Sequence, residues 1–243
     1  MAPTSEPLHA RPRPQDELTR LVTDGWPEFI FHDRETERYI GQVRELFRDL
    51  ELVLLDDGDL VGAGWAVPLR WSGQIDDLPT GFNDALARAV QGHAAERPDT
   101  LAVLAAQVRK DRQGKGLAGE LLAAFRRLAN QHGWPRVICP VRPTLKSRYP
   151  LTPIERYIEW TRPDGAPLDP WIRTHWRLGA RVLAPAPHSQ VINGTTAEWE
   201  AWTGMAFPDS GDYVIPDGLS TLHIDREADQ GIYIEPNVWI QHP

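Results

Sequence analysis

The strongest constraint on the fold of this chain lies between residues 100 and 143. The apolar run TLAVLAAQV (100–108) is typical of a strand that is buried on both faces of a sheet. A glycine-containing loop follows, and then the segment GLAGELLAAFRRLANQHG, which predicts a helix that ends at Gly133. A second apolar run, PRVICPVRP (135–143), comes next. This order predicts a β-α-β crossover, and therefore an α/β (mixed α+β) protein with a mixed sheet.

The rest of the chain extends this pattern. In chain order, the other segments predict two helices joined by a turn at GWPEF (16–50), a β-hairpin around DDGD (50–71), a helix (80–97), a short helix and a strand (169–183), and a terminal strand (231–243). Residues 1–14 are rich in proline and polar side chains, and we expect them to be disordered. We expect residues 15–243 to form a single domain, with a core of about 16–184 and a C-terminal elaboration of about 185–243.

Composition narrows the class of protein. Hydrophobic residues make up 41% and charged residues 25% of the 243 positions, which is the balance of a globular protein with a sizeable core. No stretch reaches the roughly 18 to 20 apolar residues that cross a bilayer, and the N-terminus lacks the apolar segment of a secretory signal. We therefore expect a cytoplasmic protein with no membrane partner. The formal net charge of −8 argues against broad electrostatic binding of nucleic acid.

The loop RKDRQGKG (109–116) has the features of an anion site. The first turn of a helix leaves backbone N–H groups without acceptors, and Gly114 and Gly116 let a ligand approach the main chain. Four cations within seven positions could add contacts to phosphate: Arg109, Lys110, Arg112 and Lys115. A tight strand-to-helix turn with solvated basic residues explains the sequence of this loop equally well. The nucleotide-binding pattern GxxxxGK[ST] is missing, and the acidic residue that follows a dinucleotide-binding strand is missing too.

The segment QGKGLA (113–118) resembles the Q/R-x-x-G-x-G/A loop of the GNAT acetyltransferase superfamily, and the predicted element order is similar over about residues 16–184. The resemblance implies a GNAT-like central mixed sheet flanked by helices. It also implies a binding site for acetyl-CoA or another acyl-CoA as co-substrate. The residues that match the family's donor site are Ala106, Gln107 and Val108, through their main chain, and Gln113, Gly114, Lys115, Gly116, Leu117 and Ala118.

Candidates for acid and base catalysis are less well defined. The family often has a tyrosine four residues before a late glycine, and His175 stands at that distance from Gly179. A histidine could protonate a leaving thiolate or accept a proton from an ammonium, but a helix histidine without a catalytic role also fits. Other candidates, which no spacing selects, are Tyr149, Tyr157, Glu155, Glu159, Glu198 and Glu200. Cys139 is expected to be a small core residue, and no metal-ligand spacing is present.

The resemblance implies an acyltransferase that moves an acyl group, in this family mostly acetyl, from a CoA thioester to the amine of an unknown acceptor by direct attack. Two alternatives stay open. One is a GNAT-like transferase whose donor is a carrier-protein thioester or an aminoacyl-tRNA, and the other is a non-catalytic module that senses a CoA ligand or binds a partner. The expected partner is a small-molecule or peptide amine acceptor, with nucleic acid only as a tRNA-bound donor, and a homodimer is left open.

Overall fold

The computed structural model describes residues 2–23 and 25–243, the side chains of residues 15, 16, 20 and 22 excepted. Within these residues the α-helices are α1 (Gln15–Thr23), α2 (Arg34–Leu46), α3 (Phe82–Gly92), α4 (Leu117–Gln131), α5 (Ile154–Tyr157), α6 (Pro170–Arg177) and α7 (Thr196–Thr203). The strands are β1 (Thr4–Pro7), β2 (Glu51–Asp56), β3 (Asp59–Leu69), β4 (Thr100–Val108), β5 (Arg136–Val141), β6 (Arg181–Gly194), β7 (Gly211–Val214), β8 (Thr221–Asp225) and β9 (Gln230–His242).

All of these strands belong to one mixed sheet. Its order is β1-β2-β3-β4-β5-β9-β8-β7, and β6 pairs with the opposite edge of β9. The described strand pairs are antiparallel, with the exception of β4 and β5, which are parallel and are joined through α4. This is the predicted β-α-β crossover, so the predicted fold class, a mixed sheet flanked by helices, is confirmed.

Local sequence explains the entry into this sheet. Asp33 caps α2, because its carboxylate accepts from the backbone N–H groups of Glu35 and Thr36. The hairpin between β2 and β3 turns at Asp57 and Gly58, which have φ of 52° and 89°. Two consecutive residues with positive φ form the type of tight turn whose twist matches that of the flanking strands. The DDGD signal was therefore a sound predictor of this hairpin.

Strands β4 and β5 separate soon after they begin. They pair only between residues 100–102 and residues 136–138. At the next step β4 bulges, because Ala66 of β3 faces Val103 while Trp65 faces Ala105, and this skips Leu104. From there to Val108, one edge of β4 pairs with β3, and the other edge has no strand partner in the described part of the chain. We call the resulting gap between the carboxyl ends of β4 and β5 the splay.

The C-terminal region is more deeply built into the sheet than predicted. The predicted core ended near residue 184, but β9 lies beside β5 and pairs with it from Val137 to Val141. β5 is buried, and it diverges from β4 on one side. The backbone N–H and C=O groups on its other edge therefore need another strand as a hydrogen-bond partner. Helix α7 and strands β7 and β8 are inserted between β6 and β9 and have their own apolar cluster around Trp199 and Tyr233.

The N-terminal prediction was wrong for residues 4–10. Residues 1–14 were expected to be disordered, but Thr4–Pro7 form β1, which pairs with β2, and Leu8–Ala10 form a short 3-10 turn. Pairing explains this, because β1 covers an otherwise open edge of β2. Met1 lies outside the described residues. No helix in the described part of the chain has the length and apolar character needed to span a membrane.

Candidate active site

The segment between β4 and α4 forms an open cradle of backbone N–H groups. Gly114 and Gly116 have φ of 78° and 82°, and Gly116 begins α4 without a capping side chain. No acceptor for the N–H groups of residues 114–118 lies in the described part of the chain. Nothing lies within 4 Å of the position that a Cβ would take at either glycine. Unpaired donors at a helix N-terminus suit an anion such as a pyrophosphate.

The four cations of this loop differ in whether they form ion pairs. Arg109 pairs with Asp111 at 2.7 Å, and the hydrogen bond from this guanidinium lowers the pKa of the Asp111 carboxyl. Arg112 pairs with Asp59 at 3.0 Å. Lys110 and Lys115 are both exposed and have no ion-pair partner among the described residues, and of the two only Lys115 stands between the two glycines. The arginines therefore stabilise the loop itself, and Lys115 is the cation that is best placed to meet a ligand.

The strand before the loop presents a free main-chain edge. The Arg109 N–H donates to the Val61 carbonyl at 2.9 Å, so by alternation the main-chain groups of Gln107 point towards β3. Those of Ala106 and Val108 then point into the splay. The Gln113 side-chain amide donates to the Val108 carbonyl at 3.2 Å and ties the loop to the strand. The remaining groups of this edge, those of Ala106 and the N–H of Val108, can bind an extended ligand as a neighbouring strand would.

Three side chains from distant parts of the chain meet at the open end of the splay. Trp26, in the turn between α1 and α2, donates its indole N–H to Gln107 Oε1 at 2.6 Å. The Arg142 guanidinium lies over the same indole, with Cζ 5.8 Å from the ring centroid. Because Gln107 belongs to β4 and Arg142 follows β5, Trp26 links the ends of the two diverging strands. We call Trp26, Gln107 and Arg142 the splay mouth.

A buried carboxylate holds Arg142 from behind. Glu235 of β9 is fully buried, and its two oxygens accept from Arg142 Nε and from the Tyr233 hydroxyl. Arg142 Nη2 donates to the Asp217 carbonyl at 2.7 Å. Burial raises the pKa of Glu235, and the attraction of Arg142 opposes that rise. The guanidinium is therefore held in one orientation by two fixed acceptors.

A second cation lies close to the same carboxylate. Lys146 is 1% exposed, and its Nζ donates to the Tyr149 carbonyl at 2.9 Å and to the Leu219 carbonyl at 2.6 Å. Burial lowers its pKa to about 8, and the negative charge of Glu235 opposes that shift. Lys146 is thus buried and hydrogen-bonded to two carbonyls, so it does not contact the splay mouth directly. It acts there through its positive charge.

His175 does not have the surroundings of a general acid at neutral pH. It lies in α6, is 1% exposed, and its Nδ1 is 2.8 Å from His242 Nε2. Burial, together with His242, lowers the pKa of His175 to about 3, so its imidazole is neutral and has no imidazolium proton to give. The sequence spacing matched the family position, but the α6 helix turns this residue into the interior. We therefore correct the catalytic expectation for His175.

Cys139 completes a small buried group with the two histidines. The ligand atoms of Cys139, His175 and His242 lie within 4.8 Å of one another. Burial raises the pKa of the Cys139 thiol to about 12, as suits the core residue that the sequence predicted. The hydrogen bond between the imidazoles occupies one nitrogen of each ring, so one neutral ring donates and the other accepts.

The other acid and base candidates have local structural contacts. Tyr157 is buried and donates to Asp169 at 2.8 Å. Glu198 forms a capping box with Thr195 at the start of α7. The remaining candidates are placed as follows: Tyr149 is 39% exposed, Glu155 and Glu159 are exposed at and beyond the four-residue helix α5, and Glu200 accepts from the Phe207 N–H. None of these contacts lies at the splay mouth.

Three residues of this region were not predicted from the sequence: Trp26, Arg142 and Glu235. Arg142 carried a usable signal, because it directly follows a buried strand, and carboxyl ends of parallel strands are where ligands bind in α/β sheets. Trp26 carried only the signal of a turn. Glu235 carried none, since a glutamate in an apolar strand gives no indication of its partner 93 residues away.

Comparisons with known proteins bear on the family and the fold of the chain. No protein-family model matches the sequence. Arginine N-acetyltransferase avaD of Aspergillus versicolor is 31% identical over an alignment of 248 positions, which covers 90% of this chain and 85% of that protein. The loading GNATL domain of CurA from Lyngbya majuscula has a similar fold, with a TM-score of 0.61 and 17% identity, covering 100% of this chain and 98% of that one. A GNAT-like decarboxylase, GphF in complex with isobutyryl-CoA, has a TM-score of 0.57 and 18% identity, with the same coverage of 100% and 98%.

Proposed function

The chain belongs to the GNAT superfamily of acyl-CoA-dependent N-acyltransferases, and we propose that it transfers an acetyl group from acetyl-CoA to the amine of a small molecule. The observation that carries the proposal is the cradle at residues 114–118, where the backbone N–H groups at the start of α4 have no acceptor in the described part of the chain. A pyrophosphate supplies the acceptors that these N–H groups lack. Lys115 supplies an exposed cation beside them.

The rest of the donor would lie along the free edge of β4. Pantetheine contains two amide groups, and Ala106 and Val108 direct their main-chain groups towards the space it would occupy. The half-buried Ala106 side chain is small, which leaves that edge accessible. The donor residues proposed from the sequence, Ala106, Gln107, Val108 and residues 113–118, run from the splay edge of β4 to the first turn of α4, with the side chains of Val108 and Leu117 buried. Gln107 differs from its neighbours, because its side chain is engaged with Trp26.

In the proposed reaction the acceptor nitrogen attacks the thioester carbonyl carbon directly. The C–N bond forms as the acyl C–S bond breaks, and the proton lost by the amine ends on the CoA thiol, directly or through water. Preorganised donors placed where negative charge develops on the carbonyl oxygen accelerate such a step most. The unpaired main-chain N–H groups at the β4 edge are the donors this chain offers for that oxygen.

The acceptor is proposed from the comparison. The relative that is 31% identical is named as an arginine N-acetyltransferase, so free arginine is the first acceptor to test. The splay mouth offers an aromatic face and a guanidinium for a polar small molecule. The cytoplasmic location expected from the sequence stays a prediction. The homodimer stays an open alternative.

The experiment that tests this function measures release of CoA thiol and the mass of the product. The purified chain is incubated with acetyl-CoA and with arginine, ornithine, lysine or spermidine in turn. We expect one thiol released for each acceptor that gains one acetyl group, and no turnover by Gly116→Trp, which fills the cradle. Thiol release without an acylated product, or no turnover with any amine, contradicts the proposal.

The same assay separates the alternatives. Tight binding of acetyl-CoA without turnover on any acceptor supports a non-catalytic CoA-sensing module. Failure to bind free acetyl-CoA, together with transfer from a carrier-protein thioester or an aminoacyl-tRNA, supports the second donor class. Titration with each donor, followed by the turnover assay, distinguishes the three.

A further inference from the structure

A positively charged side chain with an unused nitrogen lies at the splay mouth. Arg142 is fixed through Nε on Glu235 and through Nη2 on the Asp217 carbonyl, and its face lies against Trp26. Its Nη1 has no hydrogen-bond partner in the described part of the chain, and 16% of the side-chain surface is exposed. Arg142 therefore presents a free donor edge in a fixed orientation.

The charge around this edge is unbalanced. Two cations, Arg142 and Lys146, act on the buried Glu235 carboxylate. These three groups carry one negative and two positive charges. The Asp217 carboxylate beside them is exposed to solvent, so the excess is one that an incoming anion would balance. An ammonium or a guanidinium would be repelled at the same place. The charge thus favours a negative group on whatever enters the splay mouth.

We propose that Arg142 binds the carboxylate of the acceptor, so that the acceptor is a free α-amino acid and the group acylated is its α-amine. This inference rests on the proposed acyl transfer. A guanidinium edge matches the planar geometry of a carboxylate better than an ammonium does. One carbon separates the carboxylate of an amino acid from its α-amine. A carboxylate held at the end of β5 therefore keeps the amine close to the splay, into which the main chain of Ala106 points.

The test compares arginine with argininamide, which has the same amine and guanidinium but no carboxylate. Rates are compared per unprotonated amine, because amidation lowers the pKa of the α-amine. For the unmodified protein we expect kcat/KM to be about 10- to 100-fold lower with argininamide, as for the loss of a charge-assisted pair. With Arg142→Gln we expect that preference to disappear, because kcat/KM falls about 10- to 100-fold further for arginine than for argininamide.

Two further variants keep the test informative. Arg142→Gln leaves Glu235 buried and unpaired, so the double variant R142Q/E235Q replaces the ion pair by an amide pair of similar size. Arg136→Gln is the matched control. Arg136 begins β5, pairs with Asp99 at 3.1 Å and lies 5.9 Å from the Trp71 ring centroid, so it repeats the arrangement of Arg142 at the other end of the strand.

The outcomes separate the inference from the function on which it rests. Loss of the preference for arginine in R142Q/E235Q, with the preference intact in R136Q, supports the carboxylate anchor. A preference that persists in R142Q/E235Q, or no preference in the unmodified protein, overturns the anchor and leaves acyl transfer standing. Failure to acylate arginine, argininamide or any other amine overturns both.

Discussion

Gly116 and Gly133 lie at the two ends of helix α4 with nearly the same backbone conformation, φ of 82° and 72°. At both positions nothing lies within 4 Å of the place where a Cβ would stand. They differ in electrostatic setting, because Gly116 is at the positive end of the helix dipole and Gly133 is at the negative end. Equal substitutions at the two glycines therefore separate backbone strain from ligand binding.

Alanine at either glycine should reduce stability by a similar amount. A residue with a Cβ is disfavoured in the left-handed region by about 1 kcal/mol, so Gly116→Ala and Gly133→Ala should lower the free energy of unfolding about equally. Only Gly116→Ala should also raise the KM for acetyl-CoA, because its methyl group narrows the cradle. Urea unfolding and steady-state kinetics check both expectations. Equal KM values in the two variants would place the donor elsewhere.

Lys115 should contribute to donor affinity through its charge. We expect Lys115→Ala to raise the KM for acetyl-CoA about 5- to 10-fold at low salt, and less as salt increases, because exposed charge pairs are screened. Arg127→Ala, at an exposed position further along α4, removes the same charge away from the loop and serves as control. An effect of equal size in both variants would indicate only a general loss of positive charge.

The buried histidine pair should make the protein sensitive to acid. Burial lowers the pKa of His175 to about 3 and that of His242 to about 4, against 6.5 in the unfolded chain. As pH falls below 6.5, the unfolded chain takes up protons that the folded protein does not, so stability falls. Between pH 7 and pH 5 we expect a loss of about 2 kcal/mol per histidine. Urea unfolding at both pH values measures it.

Variants assign this acid sensitivity to the pair. His242→Gln should reduce the loss between pH 7 and pH 5 by about half of the pair's contribution. His188→Gln changes an exposed histidine in β6 and should leave the pH dependence as it was. If His242→Gln retains the full acid sensitivity of the unmodified protein, the imidazoles are not held neutral in the folded state.

Cys139 should be inert to thiol reagents until the protein unfolds. It is 4% exposed, and burial raises the pKa of its thiol to about 12, so little thiolate forms at pH 8. Ellman's reagent should report no free thiol in the native protein and one in 6 M guanidinium. Stoichiometric labelling of the native protein would show that the splay opens as far as β5.

The fold could be predicted from the sequence where local pattern and burial agree. The apolar run of β4, the glycines at both ends of α4 and the turn at Asp57 and Gly58 each carry their own signal. The position of β9 beside β5 could not be predicted, because strand order depends on which edge the folded sheet leaves unpaired. The same limit explains β1, since a four-residue strand is stabilised by its partner and not by its composition.

The candidate site divides in the same way. The cradle is contiguous in sequence, so residues 113–118 could be proposed directly. The splay mouth joins Trp26, Gln107 and Arg142 across the chain, and only the separation of β4 and β5 brings them together. His175 shows the opposite error. Its spacing from Gly179 matches the family, and a catalytic role was predicted from that spacing, but the side chain is buried.

The most direct test of the donor site is a calorimetric titration with acetyl-CoA. We expect the unmodified protein and Gly133→Trp to bind it with a Kd in the micromolar range, and Gly116→Trp to show no binding. Circular dichroism of both variants confirms that each is folded. Absence of binding by the unmodified protein, or equal binding by the two tryptophan variants, would contradict the assignment of the loop between β4 and α4 as the site of the donor's pyrophosphate.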